Sequence, residues 1–467
     1  MNTRIEHDLL GDMELPADTW YGIQTQRAVD NFAITGVPIS HFPALVNALA
    51  MVKAAAARAN HELGLLPAHK AEAILAACTD IIGGRLHEAF VVDLIQGGAG
   101  TSTNMNANEV IANLALEKLG QPRGAYAHLH PNDDVNMSQS TNDAYPTAVC
   151  VGLQFAVEPL VEAIAGLKRA LEDKGREFAD VIKMGRTQLQ DAVPMTLGLE
   201  FEAFAVNLGE DIDRLREVCA LLCEVNLGGT AIGTGINTHP DYAGLAVRHL
   251  AAISGKPIVP AANLIEATSD MGAFVLFSGV LKRFAVKLSK LANDLRLLSS
   301  GPRTGFGEIH LPPMQPGSSI MPGKVNPVIP EAVNQTAYQV IGNDLAVTMA
   351  AEAGQLQLNA MEPVIVYNLL SSVRMLDAAC RMLEERCIRG IRADREQCRR
   401  HVEHSIGVIT ALVPHIGYAN ASRIAAQALH SGDTVRTLVL GEGLLREAEL
   451  DALLSPQSML APQRRAA

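Results

Sequence analysis

The strongest constraint on this chain is an apolar pattern that alternates spacings of three and four over three or more heptads. The clearest run is Phe274, Phe277, Leu281, Phe284, Leu288, Leu291, Leu295 and Leu298. A second follows Phe201, Ala205, Leu208, Ile212, Leu215, Cys219 and Leu222, and a third Val366, Leu369, Val373, Leu376, Cys380, Leu383 and Cys387. Only an α-helix brings residues so spaced onto one face. A shorter seam joins Leu160, Ile164, Leu167 and Leu171, and Pro330 marks the start of a fifth helix with Glu331 in its first turn. At 1.5 Å per residue such helices span about 35–50 Å, and rods of that length bury themselves in a bundle.

Proline and glycine punctuate the rods at Gly185–Pro194, Asn226–Gly235, Gly301–Pro327 and Gly354–Pro363. The chain therefore reads as mainly all-α and in three parts. Residues 1–140 form a mixed, mostly helical N-terminal domain, with Ala-rich helical stretches near 45–60 and 68–78. Residues 141–392 hold the long-helix bundle, and 393–467 a small helical domain with short amphipathic segments at Ile406–Leu412 and Leu444–Leu454. The tail Pro462–Ala467 is expected to fray.

Composition narrows the partners. Thirty-eight Lys and Arg against fifty Asp and Glu leave a net charge of −12, which repels phosphate backbones and anionic lipid. Nucleic acid is not an expected partner. Aromatic residues make up 4% of the chain, so its cores must be built from small aliphatics between closely approaching helices. Seven scattered cysteines without a CxxC fit a reduced compartment, and the charged start Met1–Asp8 lacks the apolar core of a signal peptide. No run approaches eighteen uninterrupted apolar residues, so a cytoplasmic protein without a membrane span is expected.

Four breaks concentrate hydroxyl, amide and glycine residues beyond what capping requires: Gly97–Asn106, Ser138–Asp143, Gly185–Gln188 and Gly317–Pro327. Together, and with Lys324 among them, they point to an anion site. Other motifs fail on spacing. Gly317 and Gly323 are separated by five residues where a P-loop has four, and Val325 stands where a Ser or Thr is required. Gly97–Gly100 lacks the GxGxxG order. His401 and His404 share a helix face without further ligands and read as solvated, while Cys219 and Cys223 read as core residues.

The sequence GSSIMPGKVNP from Gly317 resembles the signature loop of the aspartase/fumarase superfamily. GGAGTSTNMNANEV from Gly97, SQSTNDAYPT from Ser138 and GRTQLQDAVPMTLG from Gly185 resemble its other blocks. The similarity runs from RIEHDLLGDMELPADTWYGIQT near the start to GLLREAELD near the end, and is greatest to the aspartate ammonia-lyase branch. The resemblance implies a three-domain chain whose central bundles form a twenty-helix core in a homotetramer, each active site drawing on three subunits. It implies reversible loss of ammonia from L-aspartate to give fumarate, with no cofactor required.

That reaction removes a weakly acidic Cβ proton and must hold an enediolate on the adjacent carboxylate. It calls for a base, preorganised donors and a cation for the distant carboxylate. By resemblance Ser318 is the base, and Thr101, Ser140, Thr141 and Ser319 surround the β-carboxylate. Lys324 and Asn326 hold the α-carboxylate with Thr187, Asn142 and Gln188 face the amino group, and Met321 of the same loop also binds substrate. A serine base needs its oxyanion stabilised, and the backbone amides of the following turn are placed to do so. With a net charge of −12, Lys324 and the helix N-termini after Asn142 and Pro327 must supply the local positive potential.

Fumarases of the superfamily carry His at the position of Gln188, paired with a Glu that matches Glu331. Gln relays no proton at neutral pH, which harms loss of water more than loss of ammonia, although several aspartases also carry that His. A class II fumarase is the alternative, followed by an inactive structural protein, for which erosion at Ser318, Lys324 or Asn326 is expected and absent. Some aspartases are also activated by a divalent cation.

Overall fold

The computed structural model describes residues 2–455 and 458–459, so the expected fraying of Pro462–Ala467 lies outside the described residues. The chain opens with an antiparallel hairpin of β1 (Thr3–Asp8) and β2 (Gly11–Pro16). Then come α1 (Ile23–Asn31), α2 (Pro43–Glu62), α3 (Ala68–Ile82), α4 (Thr101–Lys118) and α5 (Thr141–Glu177). A second antiparallel hairpin, β3 (Ile182–Thr187) and β4 (Gln190–Thr196), precedes α6 (Leu197–Cys219), α7 (Tyr242–Ser254), α8 (Gly272–Leu298), α9 (Val328–Glu352) and α10 (Glu362–Arg386). The chain continues with α11 (Arg395–His404), α12 (Ile409–Ile416), α13 (Tyr418–Ser431), α14 (Val435–Gly441) and α15 (Glu447–Leu453). It is mainly helical, as the apolar periodicity implies.

The seams are where the sequence puts them. All eight residues of the α8 seam are buried, as are the six on α10 with Cys387 just beyond its end, and all four on α5. The α6 seam is less regular, because Ile212 and Cys219 are only half-buried. Cys219 and Cys223 are therefore half-buried thiols at the end of that helix, not core residues. None of the seven cysteines forms a disulfide. The most apolar stretch of α5 is long and hydrophobic enough to cross a membrane by composition, and 56% of it is buried within the protein.

The chain folds into two compact units, each assembled from segments distant in sequence. The first comprises Met1–Glu162, Asp211–Ala285 and Ala337–Asp377. Here α2 packs on α3 and α7, and its buried Ala48, Ala50, Ala55, Ala56 and Ala59 keep its bulk small. Helix α4 packs on α3 and is buried at every position from Thr103 to Leu116. The second unit comprises Ala163–Glu210, Val286–Thr336 and Ala378–Ala467. Its C-terminal core gathers Val402, Leu412, Ile424, Val435, Leu438 and Leu450 around Met184 of β3, so the last five helices are built onto the second hairpin.

Candidate active site

In the first unit, the Gly97–Asn106 break is the start of α4. Gly100 caps it at φ +89°, and a β-carbon there would fall 2.3 Å from Cδ1 of the buried Tyr145 ring. Thr101, the first helical residue, donates its hydroxyl to the Gly98 carbonyl at 2.7 Å. It must turn from that oxygen to meet a substrate.

Ser140 precedes α5 and accepts the Asn142 amide at 3.3 Å, while the Asp143 carboxylate accepts the Ser140 amide at 2.9 Å. This reciprocal cap leaves the Ser140 hydroxyl hydrogen to donate outward. Thr141 Oγ1 accepts from Asn104 Nδ2 at 3.2 Å, which joins the first two blocks. Pro146 has no N–H to give the Asn142 carbonyl, and Asn226 Nδ2 takes its place at 2.9 Å. The Asn142 side chain donates to the Ala231 carbonyl at 2.7 Å, so its Oδ1 remains as an acceptor suited to an ammonium group.

The Asn226–Gly235 break is therefore a clasp around the start of α5, a role its composition did not reveal. Gly228 and Thr230 also donate their amides to Asp143 Oδ2, with Thr230 held at φ +56°. Burial pushes the Asp143 carboxyl up, and these amides and the Lys53 charge oppose the shift. Lys53 itself is fully buried on α2, and burial brings its ammonium down to about 7 against the pull of Asp143. Its acceptors are the side-chain oxygens of Asn104, Asn136 and Gln139, at 2.7, 2.9 and 2.8 Å.

In the second unit, the Gly185–Gln188 block forms the end of β3, with Thr187 its last residue. Gln188 and Leu189 make the tip at φ +56° and +61°, both exposed, a conformation that glycine and asparagine usually supply. Glu308, fully buried, anchors the hairpin. It pairs with Arg186 at 2.7 Å and Lys183 at 3.0 Å, and with His401 Nδ1 at 2.8 Å. Burial raises the Glu308 carboxyl, but Lys183, His401 and Arg186 together hold it below its ordinary value. His401 thus sits on a buried carboxylate, contrary to the expectation of a solvated residue, because Glu308 lies 93 residues away in sequence. His404 is exposed as expected.

The Gly317–Pro327 loop folds back on itself. The Gly317 amide donates to the Lys324 carbonyl at 2.8 Å, and Asn326 Nδ2 donates to the Gly317 carbonyl at 2.7 Å. Ser318 Oγ accepts the backbone amides of Ile320 and Met321 at 3.1 and 3.0 Å. Two fixed N–H dipoles thus converge on the oxygen that an alkoxide would occupy. Ser319, Met321 and Lys324 are exposed, and α9 begins at Val328, immediately after the loop. The first unit thus carries Thr101, Ser140, Thr141 and Asn142. The second carries Thr187, Gln188, Ser318, Ser319, Met321, Lys324 and Asn326.

The chain matches the family described as Lyase over residues 11–342, and that described as Fumarase C C-terminus over 408–461. Aspartate ammonia-lyase of Pseudomonas aeruginosa is 66% identical over 463 residues, 99% of this chain and 98% of that one. The Escherichia coli (strain K12) enzyme of the same name is 54% identical over 466 residues, 100% of this chain and 98% of its own. Among solved structures, fumarate lyase:delta crystallin from Brucella melitensis bound to cobalt superposes with a TM-score of 0.96 at 63% identity, covering 99% of this chain and 100% of that one. Class II fumarase from Schistosoma mansoni gives 0.93 at 33% identity, with coverage of 99% and 100%. By these full-length matches, the chain belongs to the aspartase/fumarase superfamily and, within it, to the aspartate ammonia-lyase family.

Proposed function

We propose that this chain catalyses the reversible deamination of L-aspartate to fumarate and ammonia, with Ser318 as the base. The observation that carries the assignment is the pair of backbone amides on Ser318 Oγ, within a loop that also presents Lys324. The Ser318 alkoxide takes the Cβ proton, and the C–H electron pair moves onto the β-carboxylate as an enediolate. Thr101, Ser140, Thr141 and Ser319 donate to that group as its charge grows. The enediolate then collapses to the Cα–Cβ double bond, and the C–N pair leaves with the nitrogen as ammonia. Lys324, Asn326 and Thr187 hold the α-carboxylate, Asn142 Oδ1 and Gln188 face the amino group, and Met321 closes the loop side. Side chains and backbone supply each role this reaction needs, which supports a reaction without a cofactor.

We place the active form in a homotetramer, each site built from three subunits around a twenty-helix core, with the chain in three parts at 1–140, 141–392 and 393–467. Helix α9 supports the assembly: opposite its buried stripe, Tyr338, Ile341, Leu345 and Met349 form an exposed apolar stripe at spacings of three, four and four. Leu345→Glu should lower the sedimentation coefficient to that of a smaller species; an unchanged tetramer contradicts this use of the stripe. Seven cysteines without a disulfide support a cytoplasmic location. Ultraviolet detection of fumarate with L-aspartate and L-malate in parallel tests the substrate. Aspartate is the expected substrate, and a preference for malate would make the protein a fumarase.

A further inference from the structure

We propose that Lys53 and Asn104 are positioning residues that set the direction of the Thr141 hydroxyl, turning it into an obligate donor toward the substrate carboxylate. The inference rests on the reading of Thr141 as a carboxylate ligand and deepens it. Lys53 Nζ has three amide oxygens within 2.9 Å, from Asn104, Asn136 and Gln139, and three acceptors call for the three hydrogens of an ammonium. The amide of Asn104 has one oxygen and one nitrogen. With its oxygen held by a cation, its nitrogen must point the other way, and there it meets Thr141 Oγ1 at 3.2 Å.

A hydroxyl that accepts from an N–H keeps its hydrogen for another partner. Among the described residues no protein acceptor takes that hydrogen. The chain of donors therefore runs one way: ammonium to amide oxygen, amide N–H to hydroxyl oxygen, hydroxyl hydrogen outward. Each link polarises the next, so the ammonium form of Lys53, which burial opposes and these three oxygens favour, strengthens a donor at a site where negative charge develops. Asn136 locks the arrangement, since its Oδ1 also accepts from Asn104 and Asn108 and its Nδ2 donates to the Gln139 carbonyl. Lys53 thus reaches across 51 to 86 positions of sequence to fix the segment that leads into α5.

The decisive variant is Asn104→Asp. A carboxylate satisfies Lys53 at least as well as an amide, but it offers Thr141 only acceptor oxygens, so the threonine hydrogen turns inward. Turnover of L-aspartate should fall about 100-fold, with KM changed far less. Thr141→Val should lose as much, and Asn104→Asp combined with Thr141→Val should lose no more than Thr141→Val alone. A purely structural Asn104 predicts instead a loss that adds to that of Thr141→Val, and that result overturns the inference. Full turnover in Thr141→Val sinks the underlying site assignment, whereas its loss beside full turnover in Asn104→Asp sinks the inference alone. Should Asn104→Asp fail to fold, Lys53→Met with and without Thr141→Val gives the same comparison, and additive losses count against the inference.

Discussion

The ring of Tyr145 fills the space that a side chain on Gly100 would need: a β-carbon there would come within 2.3 Å of Cδ1 and 2.6 Å of Cγ. Tyr145 lies one turn after Thr141, and Gly100 directly precedes Thr101. One buried contact therefore sets the start of α4 against the start of α5, and with it two of the proposed carboxylate donors.

Gly100→Ala should consequently cost about 2–4 kcal/mol, combining the strain of a left-handed alanine with displacement of a fully buried ring. Chemical denaturation measures the cost. A variant within about 0.5 kcal/mol of the parent would show that Tyr145 does not hold this geometry.

Lys324→Ala should raise KM for L-aspartate roughly 30- to 150-fold, the loss of about 2–3 kcal/mol from a charge-assisted hydrogen bond. The turnover number should change less, because the distant carboxylate binds alike in the ground and transition states. Initial-rate kinetics decide, and an unchanged KM contradicts the assignment.

Glu362 gives a pH prediction. It opens α10 fully buried, its Oε2 without a hydrogen-bond partner, and burial pushes its carboxyl up to about 8. The folded state then holds a proton that the unfolded chain releases near 4.5, so this group lowers stability as pH rises between those values. Glu362→Gln stays neutral and should gain in melting temperature over the parent from near pH 5 upward, levelling above about 8. A difference that does not change between about pH 5 and pH 9 would show that Glu362 is not held neutral.

The long helices were legible because each buries one face, and burial of one face writes a period into the sequence. Helix α4 was not. It is covered on all sides, and Asn104, Asn106, Asn108, Glu109 and Asn113 are buried on it beside apolar neighbours, so no face stands out. Its first turn read as a break. The Gly185–Pro194 break conceals a hairpin for a different reason: Gln188 and Leu189 occupy a turn for which neither is a usual choice, and the Glu308 cluster across the chain holds it in place. Lys53 and Glu362 carry no local signal, since their surroundings are set by residues far away in sequence. The proposed site residues were legible through the four family blocks. Their hydrogen-bond directions, on which the chemistry depends, came only from the structure.

Ser318, its oxygen held by the Ile320 and Met321 amides, is the group proposed to take the Cβ proton. The most direct test is the rate of fumarate formation from saturating L-aspartate by purified Ser318→Ala, alongside its melting curve. Near-total loss of turnover with the parent's melting temperature is the expected result. Turnover within about tenfold of the parent, a loss of no more than about 1.4 kcal/mol of transition-state stabilisation, would contradict it.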